Sequence, residues 1–145
     1  MFDELLKRGY DVKTLQHART ILETEFAEAI AELQSVLLPI TIPIEELVFG
    51  GGGKTKVVQR IEARFNELAW TKHNFQLTKL VDGIATQAIS HEIDHVKRYG
   101  NGVLALEIEW NNKDPFFDRD LRSFRQLHAD GAISMGLVIT RGASL

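Results

Sequence analysis

From Thr14 to about Leu38 the chain runs without glycine or proline, and Leu15, Ala18, Ile21, Leu22, Phe26, Ala29, Ile30 and Leu33 recur at three- and four-residue steps. That spacing predicts a long N-terminal amphipathic helix with one apolar stripe. Pro39 and Pro43 end it, because proline lacks the amide hydrogen the helix needs. ITIPIEELVFGGGG then leads into a glycine run, and Val58, Ile61, Phe65 and Leu68 resume helical spacing. After Asn74 the period falls to two. FQLTKLVDG alternates and closes on Asp82-Gly83, a turn pair; IATQAISHEIDHVKRYGNG alternates with β-branched residues and ends in a second turn; VLALEIEW follows. Phe116, Phe117, Leu121, Phe124, Leu127 and His128 return to helical spacing until Gly131. AISMGLVIT is a continuous apolar run, as a buried strand requires. The order helix, helix, several strands, helix, strand predicts an α/β chain of the mixed α+β kind: a central mixed sheet flanked by helices.

Composition narrows the class. With 145 residues, 44% hydrophobic and 26% charged, the chain suits one soluble globular domain, with residues 1–48 as a helical part and 49–145 as the core. No apolar run approaches the ~18 residues of a membrane span. The absence of cysteine excludes disulfides and thiolate metal sites and fits a cytoplasmic protein. The net charge of −3 argues against a polyanionic partner, but its distribution changes that picture. Residues 1–49 carry four basic and nine acidic side chains, whereas residues 54–79 carry six basic (Lys54, Lys56, Arg60, Arg64, Lys72, Lys79) and two acidic ones. Such a stretch can supply phosphate contacts, or it can be a solvated helix face.

Two short motifs invite chemistry. Gly50 to Gly53 with Lys54-Thr55 resembles a phosphate-binding loop, but the required first glycine falls on Val48 and a helix stands where a strand should feed the loop. A linker capping the next helix is the plainer account. His91-Glu92-Ile93-Asp94-His95 matches the zinc-protease pattern H-E-x-x-H. That pattern works on a helix, where positions i and i+4 share a face. On a strand the two histidines sit ~13 Å apart on one face, and Ile89, Ile93 and Val96 between glycine turns predict a strand.

The strand ALEIEW is more informative. Alternation puts Ala105, Glu107 and Glu109 on one face and Leu104, Leu106 and Ile108 on the other. Between two apolar runs it should be buried, and two ionised glutamates on one buried face repel each other and lose hydration. A cation between them, or a cleft, relieves both costs; an exposed edge strand avoids them. Asp94 lies on the preceding strand across the Gly100-Asn101-Gly102 turn, so three carboxylates can meet where the strands diverge. Oxygen donors of this kind point to Mg²⁺ or Mn²⁺.

Asp94, followed after twelve residues by Glu107-Ile108-Glu109, resembles the nuclease motif D-x(n)-[DE]-x-K of the PD-(D/E)xK superfamily, with Glu109 in the lysine position. SHEIDHVKRYGNGVLALEIEWNNKDPFFDRDLRSFRQLHADGAISMGLVITRG, with FGGGGKTKVVQRIEARFNELAWTKHNFQLTKLVDG upstream, is similar to the BglII/BstYI family of type II restriction endonucleases. The resemblance implies a restriction-endonuclease-like sheet and a homodimer that cuts double-stranded DNA at a short palindrome, often built around GATC. It implies Asp94 and Glu107 as carboxylate ligands of Mg²⁺, for which Mn²⁺ substitutes, with the main-chain carbonyl of Ile108 completing the shell. Glu109 would orient or deprotonate the attacking water, or bind a second ion. A cognate DNA methyltransferase is implied as a genetic partner. Family members continue beyond the strand at which this chain ends, ITRGASL, so a fragment or shortened relative is expected.

Further residues are candidates for DNA contact. Lys54 and Lys56 belong to the basic stretch, and Asn111, Asn112 and Lys113 follow the catalytic strand. The latter also read as a helix entry with Asp114 as cap and Pro115 in the first turn. Arg119, Arg122 and Arg125 can meet phosphates or pair with Asp118 and Asp120, and Glu62 is a further acid from a helix. Trp70 and Trp110 are expected in the core or a subunit interface. Two rival functions stand beside the nuclease: a DNA-binding module that does not cut, and the zinc protease.

Overall fold

A computed structural model describes residues 1–48, 54–110 and 114–142, with backbone alone for 47, 48 and 114–116. They group into two compact units, one formed by Met1–Ala69 with the residues after Thr140, the other by Trp70–Thr140. The helix Lys56–Glu67 therefore groups with the N-terminal helices rather than with the sheet.

The first unit is helical: α1 (Asp3–Lys7), α2 (Ala18–Glu25), α3 (Ala27–Leu37), α4 (Ile44–Val48) and α5 (Lys56–Glu67). The predicted long helix is thus two helices, and it starts later than Thr14. Gln16 takes a left-handed backbone, φ 52°, ahead of the first turn. At Phe26 the backbone leaves the helical region, φ −132° and ψ 41°, and the ring is buried at 2% exposure. Leu22, Ala29, Leu33 and Val36 still line one buried stripe, as the spacing demands. IPIEELV, read from the sequence as a lead-in to the glycine run, holds the short α4. Its Glu46 receives both terminal nitrogens of Arg60, at 2.8 and 3.0 Å. The glycines of the phosphate-loop reading lie outside the described residues. Thr55 is the N-cap of α5, its hydroxyl accepting the Val58 amide at 3.3 Å, which is the capping role.

The second unit is a four-stranded sheet in the order β1 (Thr71–Val81), β2 (Ile84–Tyr99), β3 (Gly102–Glu109), β4 (Met135–Thr140), with α6 (Asp114–Ala129) joining the last two. The first two pairings are antiparallel and β3–β4 is parallel, a mixed sheet. Val81 pairs with Ile84 across Asp82 and Gly83, whose φ values of 53° and 81° suit the two-residue turn that joins right-twisted strands. A parallel pair needs a long crossover, and α6 provides it. It packs Phe124 and Leu127 against Ile93, Val96 and Ala105.

Candidate active site

The site begins with an irregularity in β2. Thr71 pairs with Val96 and His73 with Ile93, so Asp94 and His95 together oppose the single residue Lys72. This is a β-bulge, in which one extra residue breaks the alternation of side chains. Ile93 and Val96, three apart, both join the core beside α6. His95 pairs with Leu106 and points to the opposite face, where it is buried at 3% exposure. His91, paired with Phe75 on the core face, meets Ser123 Oγ at 3.1 Å.

The bulge corrects one expectation: His91 and His95 do not share a face. H-E-x-x-H lies on a strand, so its imidazoles cannot converge as they would on a helix.

The β2–β3 ladder runs from Tyr99↔Gly102 to His95↔Leu106 and stops there. The next two residues in register are Asp94 and Glu107. At that point the backbone N–H of Asp94 donates to Oε1 of Glu107 at 3.2 Å. Glu107 and Glu109 alternate with Ala105 on the face that carries α6, and both are buried, at 7% and 4% exposure. Ile108 lies between them on the other face, with its backbone in the β3–β4 ladder opposite Ile139.

Electrostatics follow from that burial. Loss of hydration, then the charge of Asp94, pushes the Glu107 carboxyl up to about 7, against a smaller lowering by the Asp94 amide. Glu109 is pushed up to about 8, first by burial, then by a hydrogen bond shared with Asp120 and by that acid's charge. Arg119 on α6 offsets part of this: its Nε lies 2.9 Å from Asp120 Oδ1 and its Nη2 3.9 Å from Glu109 Oε1. On the other side of Asp94, Lys72 Nζ stands 3.3 Å from Asp94 Oδ1 and 2.8 Å from Glu92 Oε1.

The oxygen donors suit a hard divalent cation in type, and two crowded buried glutamates would gain from one. Among the described residues no group of three His, Asp or Glu side chains is arranged to hold an ion by itself. A cation here would need the Ile108 carbonyl, water and substrate oxygens beside Asp94 and Glu107.

Two charged residues reach the site by contacts that their place in the sequence does not show. Lys72 comes to Asp94 only through the hairpin register, twenty-two residues away in sequence. Asp120 pairs with Arg119, one of the two roles open to that arginine in the sequence, and it also meets Glu109. An acid at a helix position whose spacing from Phe124 and Leu127 aims it at the sheet was the available signal. The other candidates divide. Lys54 pairs with Glu62 beside α5, and Lys56 is exposed on it. Asn111, Asn112 and Lys113 lie outside the described residues, as do the side chains of Asp114 and Pro115 at the start of α6. Trp70 is fully buried, its ring edge-on to Tyr99 at 6.2 Å.

No helix among the described residues is long and apolar enough to cross a membrane. Comparison with curated proteins and with solved structures returned no match. A scan against family models matched residues 10–145 to the one described as restriction endonuclease BglII/BglIII. With an αβββαβ order, a mixed sheet and acids gathered where β2 and β3 part, the chain belongs to the BglII/BglIII family of restriction endonucleases, enzymes that cut DNA at specific sites.

Proposed function

We propose that this chain is a single type II endonuclease domain that hydrolyses both strands of double-stranded DNA at a short palindromic site, with a divalent ion held by Asp94 and Glu107. One observation carries the reading: at the mouth of the β2–β3 ladder the Asp94 amide lies 3.2 Å from the Glu107 carboxylate. Mg²⁺, with Mn²⁺ as substitute, fits the two carboxylates and the Ile108 carbonyl. Such an ion, when bound, acidifies a water and screens phosphoryl charge. The rest falls to the chain's own residues. Asp94 and Glu107 fix the position at which the scissile phosphate docks. Glu109 accepts a proton from the attacking water, and Asp120 and Arg119 hold its carboxyl in place. Lys54, Lys56, Asn111, Asn112 and Lys113 are the candidates for phosphate and base contact. A palindrome cut in both strands calls for a two-fold homodimer. A GATC core, a cytoplasmic location and a protecting methyltransferase encoded alongside complete the proposal.

The test is digestion of plasmid DNA in Mg²⁺. Discrete fragments are expected. Asp94→Asn and Glu107→Gln should keep the fold and DNA binding while losing more than the ~100-fold in rate that removal of an outer-shell metal partner costs. Undiminished cutting by either purified variant refutes the assignment. A second reading, a DNA-binding module of the same fold that does not cut, is favoured by the lack of a three-residue ligand set among the described residues. It predicts binding without fragments in the same digestion.

A further inference from the structure

The acids of this site outnumber its cations, and a phosphodiester entering it brings more negative charge. The position two residues after Glu107, where a lysine would supply positive charge, holds the buried acid Glu109. Arg119 stands on the α6 side and is engaged with Asp120. Beside Asp94 the cation is Lys72. Its ammonium lies between Asp94 Oδ1 at 3.3 Å and Glu92 Oε1 at 2.8 Å, and its side chain is 58% exposed. An ammonium has three donors in freely rotating positions, and these contacts engage two. A solvent-facing ion pair of this kind adds little to stability, so its position facing the bulge calls for another explanation. The bulge sets two residues of β2 against Lys72 and brings Asp94 to it.

We propose that Lys72 is a catalytic residue of the nuclease: its ammonium holds the Asp94 carboxylate and donates a hydrogen bond to a non-bridging oxygen of the scissile phosphate. The proposal rests on the nuclease reading given above. Lys72 keeps its proton throughout and forms no covalent bond. It offsets charge that grows on the phosphoryl oxygens as water attacks, the task for which fixed donors are most effective. A compact ammonium on a flexible stem can follow that oxygen as the geometry changes.

Single-turnover cleavage of plasmid DNA in saturating Mg²⁺, with the full chain in excess, tests this. Lys72→Gln should slow cleavage by about 100-fold or more, Lys72→Arg should recover at least a tenth of the wild-type rate, and Lys79→Gln, a control on the same strand, should cut within threefold. DNA affinity measured in Ca²⁺ and the melting temperature should stay near wild type for all three, which a merely structural lysine would not combine with a rate loss. Cutting by Lys72→Gln within threefold of wild type overturns the Lys72 role and leaves the nuclease reading standing. A rate loss that Lys72→Arg does not recover, or one matched by a fall in melting temperature in both variants, also overturns it. A wild-type chain that leaves the plasmid intact overturns both.

Discussion

Glu107 and Glu109 carry the main conflict in the molecule: both are buried on one strand face, and each is pushed above the usual carboxylate range, to about 7 and about 8. The consequence for stability has a definite sign. In the unfolded chain these acids ionise near 4.5, so between that pH and about 7 the folded metal-free protein holds protons that the unfolded chain has released. Stability without metal should be highest at and below about pH 4.5 as far as these two groups are concerned, and should fall as pH rises through 7 and 8. Because an ion binds the ionised carboxylates, Mg²⁺ should raise the melting temperature more at pH 8 than at pH 6. Melts at both values, with EDTA and with Mg²⁺, check this; an equal Mg²⁺ effect at the two would contradict it. Glu107→Gln should remove much of the fall. The pair of glutamates was legible in the sequence, because alternation alone sets Glu107 and Glu109 on one face of a strand flanked by apolar residues. For Asp120 the spacing from Phe124 and Leu127 signals only that it faces the sheet; that its partner is Glu109 was not legible, since α6 packing sets it.

The elements were legible where their own residues decide them. Asp82-Gly83 turns the hairpin because both positions have φ above zero, and Gly131, φ 71°, follows the end of α6. What the pattern could not contain was the extra residue in β2. A strict period of two places His91, Ile93 and His95 together; the bulge, a property of pairing with β1, leaves His91 and Ile93 on the core face, turns His95 to the other and sets Asp94 against Lys72. The break at Phe26 is of the same kind, for nothing in the local sequence forbids a continuous helix. Packing of α6 on the sheet has a sharp test. A Cβ added at Gly136 on β4 would overlap the ring of Phe124, so Gly136→Ala should destabilise the fold by about 1–3 kcal/mol. A chemical denaturation midpoint equal to wild type would show that α6 does not approach β4 as described.

At the scale of the whole molecule, net charge was a poor guide and its distribution a better one. The total of −3 combines an acidic stretch in residues 1–49 with a basic one in residues 54–79. The basic stretch crosses from the helical unit into the sheet unit, and Lys72 within it belongs to the site, whereas Arg60 serves the helices by holding Glu46. Charge counting finds such a region but cannot sort its members, because their partners come from elements distant in sequence. The family match over residues 10–145 and the acids at the end of the β2–β3 ladder point the same way, and those acids lie within the compact unit Trp70–Thr140.

The proposed nuclease requires one divalent ion bound between Asp94 and Glu107. Anomalous diffraction from crystals soaked in Mn²⁺ tests it most directly. The expected result is a peak bonded to a carboxylate oxygen of each, at about the 2.0–2.2 Å usual for small hard cations and oxygen. A peak that touches one of them alone, or that sits elsewhere while both carboxylates remain bare, would contradict it.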